Sequence, residues 1–379
     1  MRDIGRFFNR VAGAAAGLAA LICLTGGAAR AEVPTDDLVV HVYNVGQGSC
    51  VLIECPDGPP ILNDCGKIGR GGNPDQAARK INDRLGDERA VYPTPLTVVI
   101  SHPHSDHYSI LTAAKYRISP DDIRGFYYAG PFTDFSVAAR TWINKLAFRI
   151  DGRTKADVCS PTNRVTCLLP NEHALETPRL ACGKAKIDLL TANAFSFNRG
   201  RGAARKAGQG SSPNGESAVL RLRYGGASLV LPGDAEDISQ IYAEENASAL
   251  GAPLSRTTVL LLPHHGSGEV GSNNDAWVAA TSPKVVLVSA NVGGGYGHPN
   301  CDVLKRFDAV TTDGQAMDPL AHSVPVSCGL DSHRRTEART LDHRFVFTET
   351  NGDLTVVISS SGEVQILCET ASLACPAAQ

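Results

Sequence analysis

Three imidazoles and a carboxylate fall within six residues in Ser101-His102-Pro103-His104-Ser105-Asp106-His107. Imidazole and carboxylate together form a donor set suited to zinc, iron or manganese. The run follows Leu96–Ile100, a short apolar stretch of the kind that makes a buried strand, and a Pro-containing loop there can present side chains on several sides of a metal. The pattern recurs at Leu62-Asn63-Asp64-Cys65-Gly66, at Leu229-Val230-Leu231-Pro232-Gly233-Asp234, at Leu260-Leu261-Leu262-Pro263-His264-His265-Gly266-Ser267 and at Tyr296-Gly297-His298-Pro299. Each time an apolar stretch delivers a ligand-type residue into a Gly- or Pro-rich turn. Taken singly, Asp234 or His298 reads equally well as a turn residue or a satisfied core group. Converging on one edge, these strand ends would build a metal site; a solvated histidine cluster is the alternative.

The elements that must position these residues follow from hydrophobic periodicity. Leu38–Tyr43, Ser49–Glu54 and Pro60–Asn63 read as strands, the last two joined by the turn Pro56-Asp57-Gly58. Residues 74–85 read as helix, with Pro74 near the start. Residues 122–148 suggest a strand and then a helix around Trp142, and Ile187–Leu190 a strand. Ser217–Arg223 and Ser228–Leu231 form a hairpin pattern through Gly225-Gly226, followed by a helix over 235–246. Thr257–Leu262, Lys284–Ser289 and residues 344–348, 354–359 and 363–367 are further strands. About 150–185 reads as an irregular Cys-containing insertion, and about 195–215, rich in Gly, Ser and Arg, as a mobile loop. No solenoid-type period is present. Strands alternating with helices in two β-rich halves predict an α/β (α+β) domain over 32–379, with sheets packed together and helices outside.

The chain has 379 residues, 42% of them hydrophobic and 20% charged, which fits a globular protein with a sizeable core. Arg2, Arg6 and Arg10, the apolar run Val11–Leu24 and Ala29-Arg30-Ala31 match a signal peptide cleaved near Ala31. The run is short for a membrane anchor. Export is therefore expected, to the periplasm or beyond the cell, with no stable membrane association after cleavage. Cleavage would remove four arginines and Asp3, taking the formal charge from −3 to −6. An acidic surface disfavours extended, sequence-independent nucleic-acid binding. Of 11 cysteines Cys23 would leave with the signal, and the remaining ten suit disulfides in an oxidising compartment. Cys159 with Cys167 and Cys368 with Cys375 could each close a short loop. No C-x-x-C pair suggests a cysteine-zinc site.

The run His102-x-His104-x-Asp106-His107 resembles the signature of metallo-β-lactamase-fold hydrolases. Tyr43-Asn44-Val45-Gly46-Gln47-Gly48-Ser49, Asp64-Cys65-Gly66, Gly233-Asp234, Pro263-His264-His265-Gly266-Ser267 and Gly297-His298-Pro299 are similar to the hydrolase domain of the ComEC/Rec2 competence proteins. The resemblance implies a four-layer αββα sandwich and two divalent metal ions, zinc or manganese. His102 and His104 would hold the first ion. Asp106, His107 and a histidine of the 264–265 pair, with His265 favoured, would hold the second, and Asp234 would bridge. Asp64 would orient the site from behind, as would Asn214. Asp106 also counts among the catalytic candidates, and His264 or His298 could protonate a leaving oxygen. The family's middle histidine, a third ligand to the first ion, is missing; Asn214-x-x-Ser217 stands in that region, and His173 is a distant substitute. The first ion would then be loosely held or completed by water. Asn44 and Ser49-Cys50 also depart from the acidic residues usual there.

The implied chemistry is hydrolysis by a metal-activated hydroxide, with a phosphodiester or nucleotide-like substrate and nuclease-type activity foremost. Asn44, Gln47, Ser267, Arg199 and Arg201 are the substrate-contact candidates, the two arginines joining Arg205 and Lys206 in the 195–215 loop. A β-lactam or lactone hydrolase and a non-catalytic binding protein on the same fold are the alternatives. Oligomeric state is not encoded in any of these motifs.

Overall fold

Alternation along the strands sorts the apolar residues into three separate cores. In β9 (Ala227–Leu231) Leu229 and Leu231 join one core and Val230 another; in β10 (Val259–Leu261) Val259 and Leu261 part from Leu260 in the same way. Successive side chains point to opposite faces of a sheet, so a strand apolar on both faces is covered on both. In the computed structural model, which describes residues 36–88, 95–116, 118–157, 159–160, 162–168, 180–194, 213–269, 271–292, 295–310, 322–328, 335–341 and 344–370, that covering gives four layers.

One sheet holds β1 (Leu38–Val42), β2 (Cys50–Cys55), β3 (Gly58–Cys65), β4 (Leu96–Ile100), β5 (Ile123–Tyr128), β6 (Val165–Cys167), β15 (Leu354–Ile358) and β16 (Val364–Cys368), in the order β16-β15-β1-β2-β3-β4-β5-β6. The other holds β7 (Lys186–Thr191), β8 (Val219–Tyr224), β9, β10, β11 (Val285–Val288) and β14 (Arg344–Phe347), in the order β14-β11-β10-β9-β8-β7. A separate hairpin pairs β12 (His322–Cys328) with β13 (Arg335–Leu341). The inner core lies between the sheets, where Val40, Val51, Ile61 and Val99 meet Leu189, Leu220, Leu231 and Leu287. Helices α1 (Pro74–Glu88), α2 (Ser105–Thr112) and α3 (Val137–Asp151) cover the first sheet through Ile81, Leu111 and Ile143, packed with Leu52, Leu62 and Val98. On the second sheet, α4 (Asp237–Ala249), α5 (Asp275–Thr281) and α6 (Cys301–Asp308) bring Ala243, Trp277 and Phe307 against Val230, Leu260 and Val286. A last short helix, α7 (Thr348–Asn351), follows β14. The layers are α, β, β, α, as the sequence predicts.

The expected strands and the 74–85 helix form within a few residues of their predicted ends. The insertion expected to be irregular contributes β6, which pairs in parallel with β5, Phe126 opposite Val165. Its Cys167 is bonded to Cys159, as the spacing suggested. Two further disulfides were not suggested by the spacing: Cys50–Cys65, across the neighbouring strands β2 and β3, and Cys55–Cys182, over 127 residues. Cys368 is also disulfide-bonded. Residues 1–31, His173, the 195–212 part of the loop with Arg199 and Arg201, and Cys375 lie outside the described residues. No helix among the described residues is long and apolar enough to cross a membrane.

Candidate metal centre

Strand ends of both sheets meet at one edge of the sandwich. From the first sheet, β4 runs into His102 and His104, and α2 begins at once, so that Asp106 and His107 sit in its first turn rather than in an open loop. A carboxylate there also gains from the partial positive charge of a helix start. From the second sheet, β9 ends in Gly233-Asp234 and β10 in the turn Pro263–Gly266. His264 (φ 49°) and His265 (φ 54°) are both left-handed, and Gly266 continues the turn at φ 80°. Non-glycine residues seldom adopt that conformation, and the surrounding bonds hold it. His264 N–H donates to the Gly233 carbonyl at 3.1 Å, Ser267 N–H to the His264 carbonyl at 2.7 Å, and Asn273 Nδ2 to the Pro263 carbonyl at 2.9 Å.

Asp234 is the centre of the arrangement. Its Oδ1 lies 3.2 Å from His107 Nε2 and 3.6 Å from His265 Nε2; its Oδ2 lies 3.7 Å from His102 Nε2 and 3.6 Å from His264 Nε2. Asp106 Oδ2 is 3.6 Å from His265 Nε2, and His102 Nε2 is 3.0 Å from His104 Nδ1. Donor atoms of Asp106, His107, Asp234 and His265 all lie within 4.8 Å of one another, as do those of His102, His104 and Asp234. His107 Nε2, His265 Nε2 and Asp234 Oδ1 are buried without a hydrogen-bond partner. Buried polar atoms left without a partner are costly. Three of them facing one point are what a divalent cation would satisfy, so the residues fit a metal. Of the 264–265 pair, His265 is the one that joins Asp106 and His107, as favoured from the sequence.

The far nitrogen of each buried ligand is anchored. Asp64 accepts from His107 Nδ1 at 2.8 Å and from Ser101 N–H and Oγ at 2.7 and 2.8 Å. His265 Nδ1 donates to the Ser289 carbonyl at 2.7 Å, and Ser101 Oγ lies 3.1 Å from His102 Nδ1. These bonds fix tautomer and ring direction, leaving Nε2 for the centre. Ser101 and Ser289 were not singled out from the sequence; a serine directly before the first histidine was the available signal.

The electrostatics are those of a site built for positive charge. Burial alone would raise the Asp234 carboxyl, but His107, His264, His265 and His102 around it hold it well below the ordinary carboxylate range. Asp106 is likewise lowered against its burial by a bond from His265 and the charge of His107. Burial lowers His102 far below the usual imidazole value and lowers His104 too, so both are neutral donors. His107 is raised against its burial by Asp234 and Asp64.

A cavity of about 440 Å³ opens onto the cluster, lined by Gln47, Asp106, His264, Glu269, Tyr296 and His298 among others. Gln47 and His298 thus lie on the cavity wall. Asn44 is not on the lining; its carboxamide oxygen accepts from Gly46 N–H at 3.3 Å. Ser267 is fully buried and accepts from Glu269 N–H at 3.1 Å, and so shapes the turn. Asn214 donates to Glu236 at 3.0 Å, beside the start of α4. Glu236 and Glu269 place carboxylate oxygens within 4.8 Å of a ring nitrogen of His264.

Four layers with a two-sided His/Asp centre at the sheet edge, in the chain order His-x-His-x-Asp-His, Asp, His, decide the architecture. This is the metallo-β-lactamase fold. No family model matches the chain. The "Competence protein ComA" of Neisseria gonorrhoeae is 34% identical over 96 residues, which is 25% of this chain and 13% of that protein. Among solved structures, CmlA, a diiron beta-hydroxylase from Streptomyces venezuelae, is 15% identical, covering 69% of this chain and 46% of its own, with a TM-score of 0.36. Unliganded yeast PDE1 is 12% identical over 74% of this chain and 85% of its own, with a TM-score of 0.36. The metallo-beta-lactamase fold protein YhfI from Bacillus subtilis is 12% identical over 72% and 94%, again at 0.36. At these scores the structural likenesses carry no weight of their own; the metallo-β-lactamase fold is read from the layers and the ligand geometry of this chain.

Proposed function

We propose that the protein is an exported metal-dependent hydrolase whose substrate is a phosphodiester or nucleotide-like molecule. The observation that carries this reading is Asp234, whose two oxygens face two separate histidine groups at the floor of an open cavity. His102, His104 and Asp234 would hold one divalent ion, and Asp106, His107, His265 and Asp234 a second. Such a pair supplies Lewis acidity and brings the pKa of water toward neutrality. The chain supplies the rest. Asp64 and Ser289 hold His107 and His265 in place, so little reorganisation is needed at the moment of reaction. His298, on the cavity wall with its ring 5.4 Å from that of His264, would give a proton to a leaving oxygen. The phosphodiester preference rests on the ComEC-like motifs, with Gln47 on the wall and Arg199 and Arg201 as further candidate contacts. Export rests on the N-terminal pattern and on the disulfides.

One observation favours the second reading, a lactone or β-lactam hydrolase. Among the described residues no Lys or Arg lines the cavity, and Glu269 does. The two separate on turnover of bis-p-nitrophenyl phosphate against nitrocefin, each with a chelator control. Asp234→Ala should abolish metal-dependent turnover of the true substrate, a loss of at least about a thousandfold on the scale of removed transition-state stabilisers. Turnover that survives complete metal removal would reject the hydrolase reading.

A further inference from the structure

The cavity over the metal centre has one apolar corner. Most of its wall is imidazole, carboxylate, hydroxyl or amide; Ile68 and Tyr296 bring the large apolar side chains. Tyr296 is 39% exposed, and among the described residues no other exposed large apolar side chain lies on this wall. An exposed tyrosine says little by itself; the setting of this one says more. It stands between Gly295 (φ 83°) and Gly297 (φ 75°), two left-handed residues that turn the chain on either side of it. Its ring reaches across to the facing loop, where a Cβ on Gly69 would lie 3.4 Å from Tyr296 Cε2 and 3.8 Å from its hydroxyl oxygen. That loop is itself tied down. Ile68 N–H donates to the Gln47 carbonyl at 2.8 Å, Lys67 N–H to Ser109 Oγ at 2.9 Å, and Asn291 Nδ2 to the Arg70 carbonyl. The ring therefore rests against fixed backbone while part of it stays open to the cavity. Two residues on, His298 lines the same wall.

The cavity, at about 440 Å³, has room for one nucleoside-sized group rather than for a strand. Among the described residues it offers no Lys or Arg to grip a phosphate. Recognition of a nucleotide there is left to the ions and to a surface that accepts a planar ring. Aromatic side chains do this for any base, because every base has a π-face. We propose that Tyr296 is the stacking platform for a nucleobase, and that the substrate is a diester presenting one base to this corner. This rests on the phosphodiester reading above and narrows it.

The test compares thymidylyl-thymidine with its analogue lacking the bases, on the metal-loaded full chain. The wild type should show a KM at least about fivefold lower for the base-bearing diester. Tyr296→Ala should raise that KM roughly tenfold and erase the preference, the effect falling on KM rather than on kcat. Tyr296→Leu, which keeps apolar bulk without a flat ring, should do the same, and it decides the matter if Tyr296→Ala does not fold. Tyr296→Phe should keep the preference. A preference that survives in the Leu variant, or a wild type with equal KM for the two diesters, would overturn the platform and leave the hydrolase reading standing. If neither diester nor bis-p-nitrophenyl phosphate is cleaved, the phosphodiester reading fails, and calorimetry with thymidine 5′-monophosphate against deoxyribose 5-phosphate decides the platform separately. Equal affinity in the wild type would overturn it; tighter binding of the nucleotide, abolished in Tyr296→Leu, would uphold it.

Discussion

Asp64 touches neither proposed ion, yet it decides where His107 points. It is fully buried, adopts φ 55°, and accepts from Ser101 N–H, Ser101 Oγ and His107 Nδ1. Asp and Asn tolerate that backbone better than most residues. Asp64→Ala therefore adds strain and leaves the buried Ser101 N–H without an acceptor. We expect a loss of about 2–4 kcal/mol in stability and metal binding weakened by roughly 10–100-fold. Asp64→Asn should keep most of the stability and lose the charge that raises His107. Chemical denaturation and zinc titration check both; an Ala variant with unaltered zinc affinity would remove the orienting role. At this scale the sequence was informative because chemistry-bearing side chains announce themselves: His102, His104, Asp106, His107, Asp234 and His265 all meet. Ser289 was illegible because it acts through a backbone carbonyl, which any residue carries. That His264 and His265 turn to opposite oxygens of Asp234 was illegible because it depends on two backbone angles.

Between elements, the end of β3 and the start of α2 touch without room for a side chain. A Cβ on Gly66 would lie 2.4 Å from Tyr108 N and 2.6 Å from His107 N. Both are backbone atoms of the turn that carries Asp106 and His107, so the helix would have to move. Gly66→Ala should cost about 1–3 kcal/mol and weaken the second ion more than the first, as zinc titration would show; equal effects on both would contradict this account. Farther back, His41 on β1, Glu54 on β2 and Arg84 on α1 form a cluster, with Arg84 Nη1 2.7 Å and His41 Nε2 3.2 Å from the carboxylate. Burial opposes ionisation of Glu54, but the bonds and charge of His41 and Arg84 lower it below its usual value. Because the folded value lies under the unfolded one, this contribution is complete above about pH 5 and fades as pH falls through the lowered value. Glu54→Gln should flatten that part of the stability profile in acid; an unchanged profile would show the cluster to be inert. The strands were readable because apolar runs such as Leu96–Ile100 are unambiguous. Short pieces were not: β6 has three residues, and α5 and α6 have seven and eight, too few for a period to stand out.

For the molecule as a whole, the proposed ions bind only the folded chain, so their removal should destabilise it. At a thousandfold excess over Kd, a ligand of this kind adds about 4 kcal/mol. Chelation should therefore lower the Tm by several degrees, and a Tm indifferent to chelator would mean that the cluster is empty in solution. The layer order was legible because both sheets are apolar on both faces, which leaves helices as the only covering. The disulfide Cys55–Cys182 was not, since pairing over 127 residues leaves no local mark.

The candidate ligands are divided between the two sheets: those in 102–107 follow β4 on one, and Asp234 and His265 follow β9 and β10 on the other. Neither half can coordinate an ion as the finished protein would. A cation held by the whole set could therefore be captured only once the two sheets have docked, and the compartment where that docking takes place would bear on which metal is acquired.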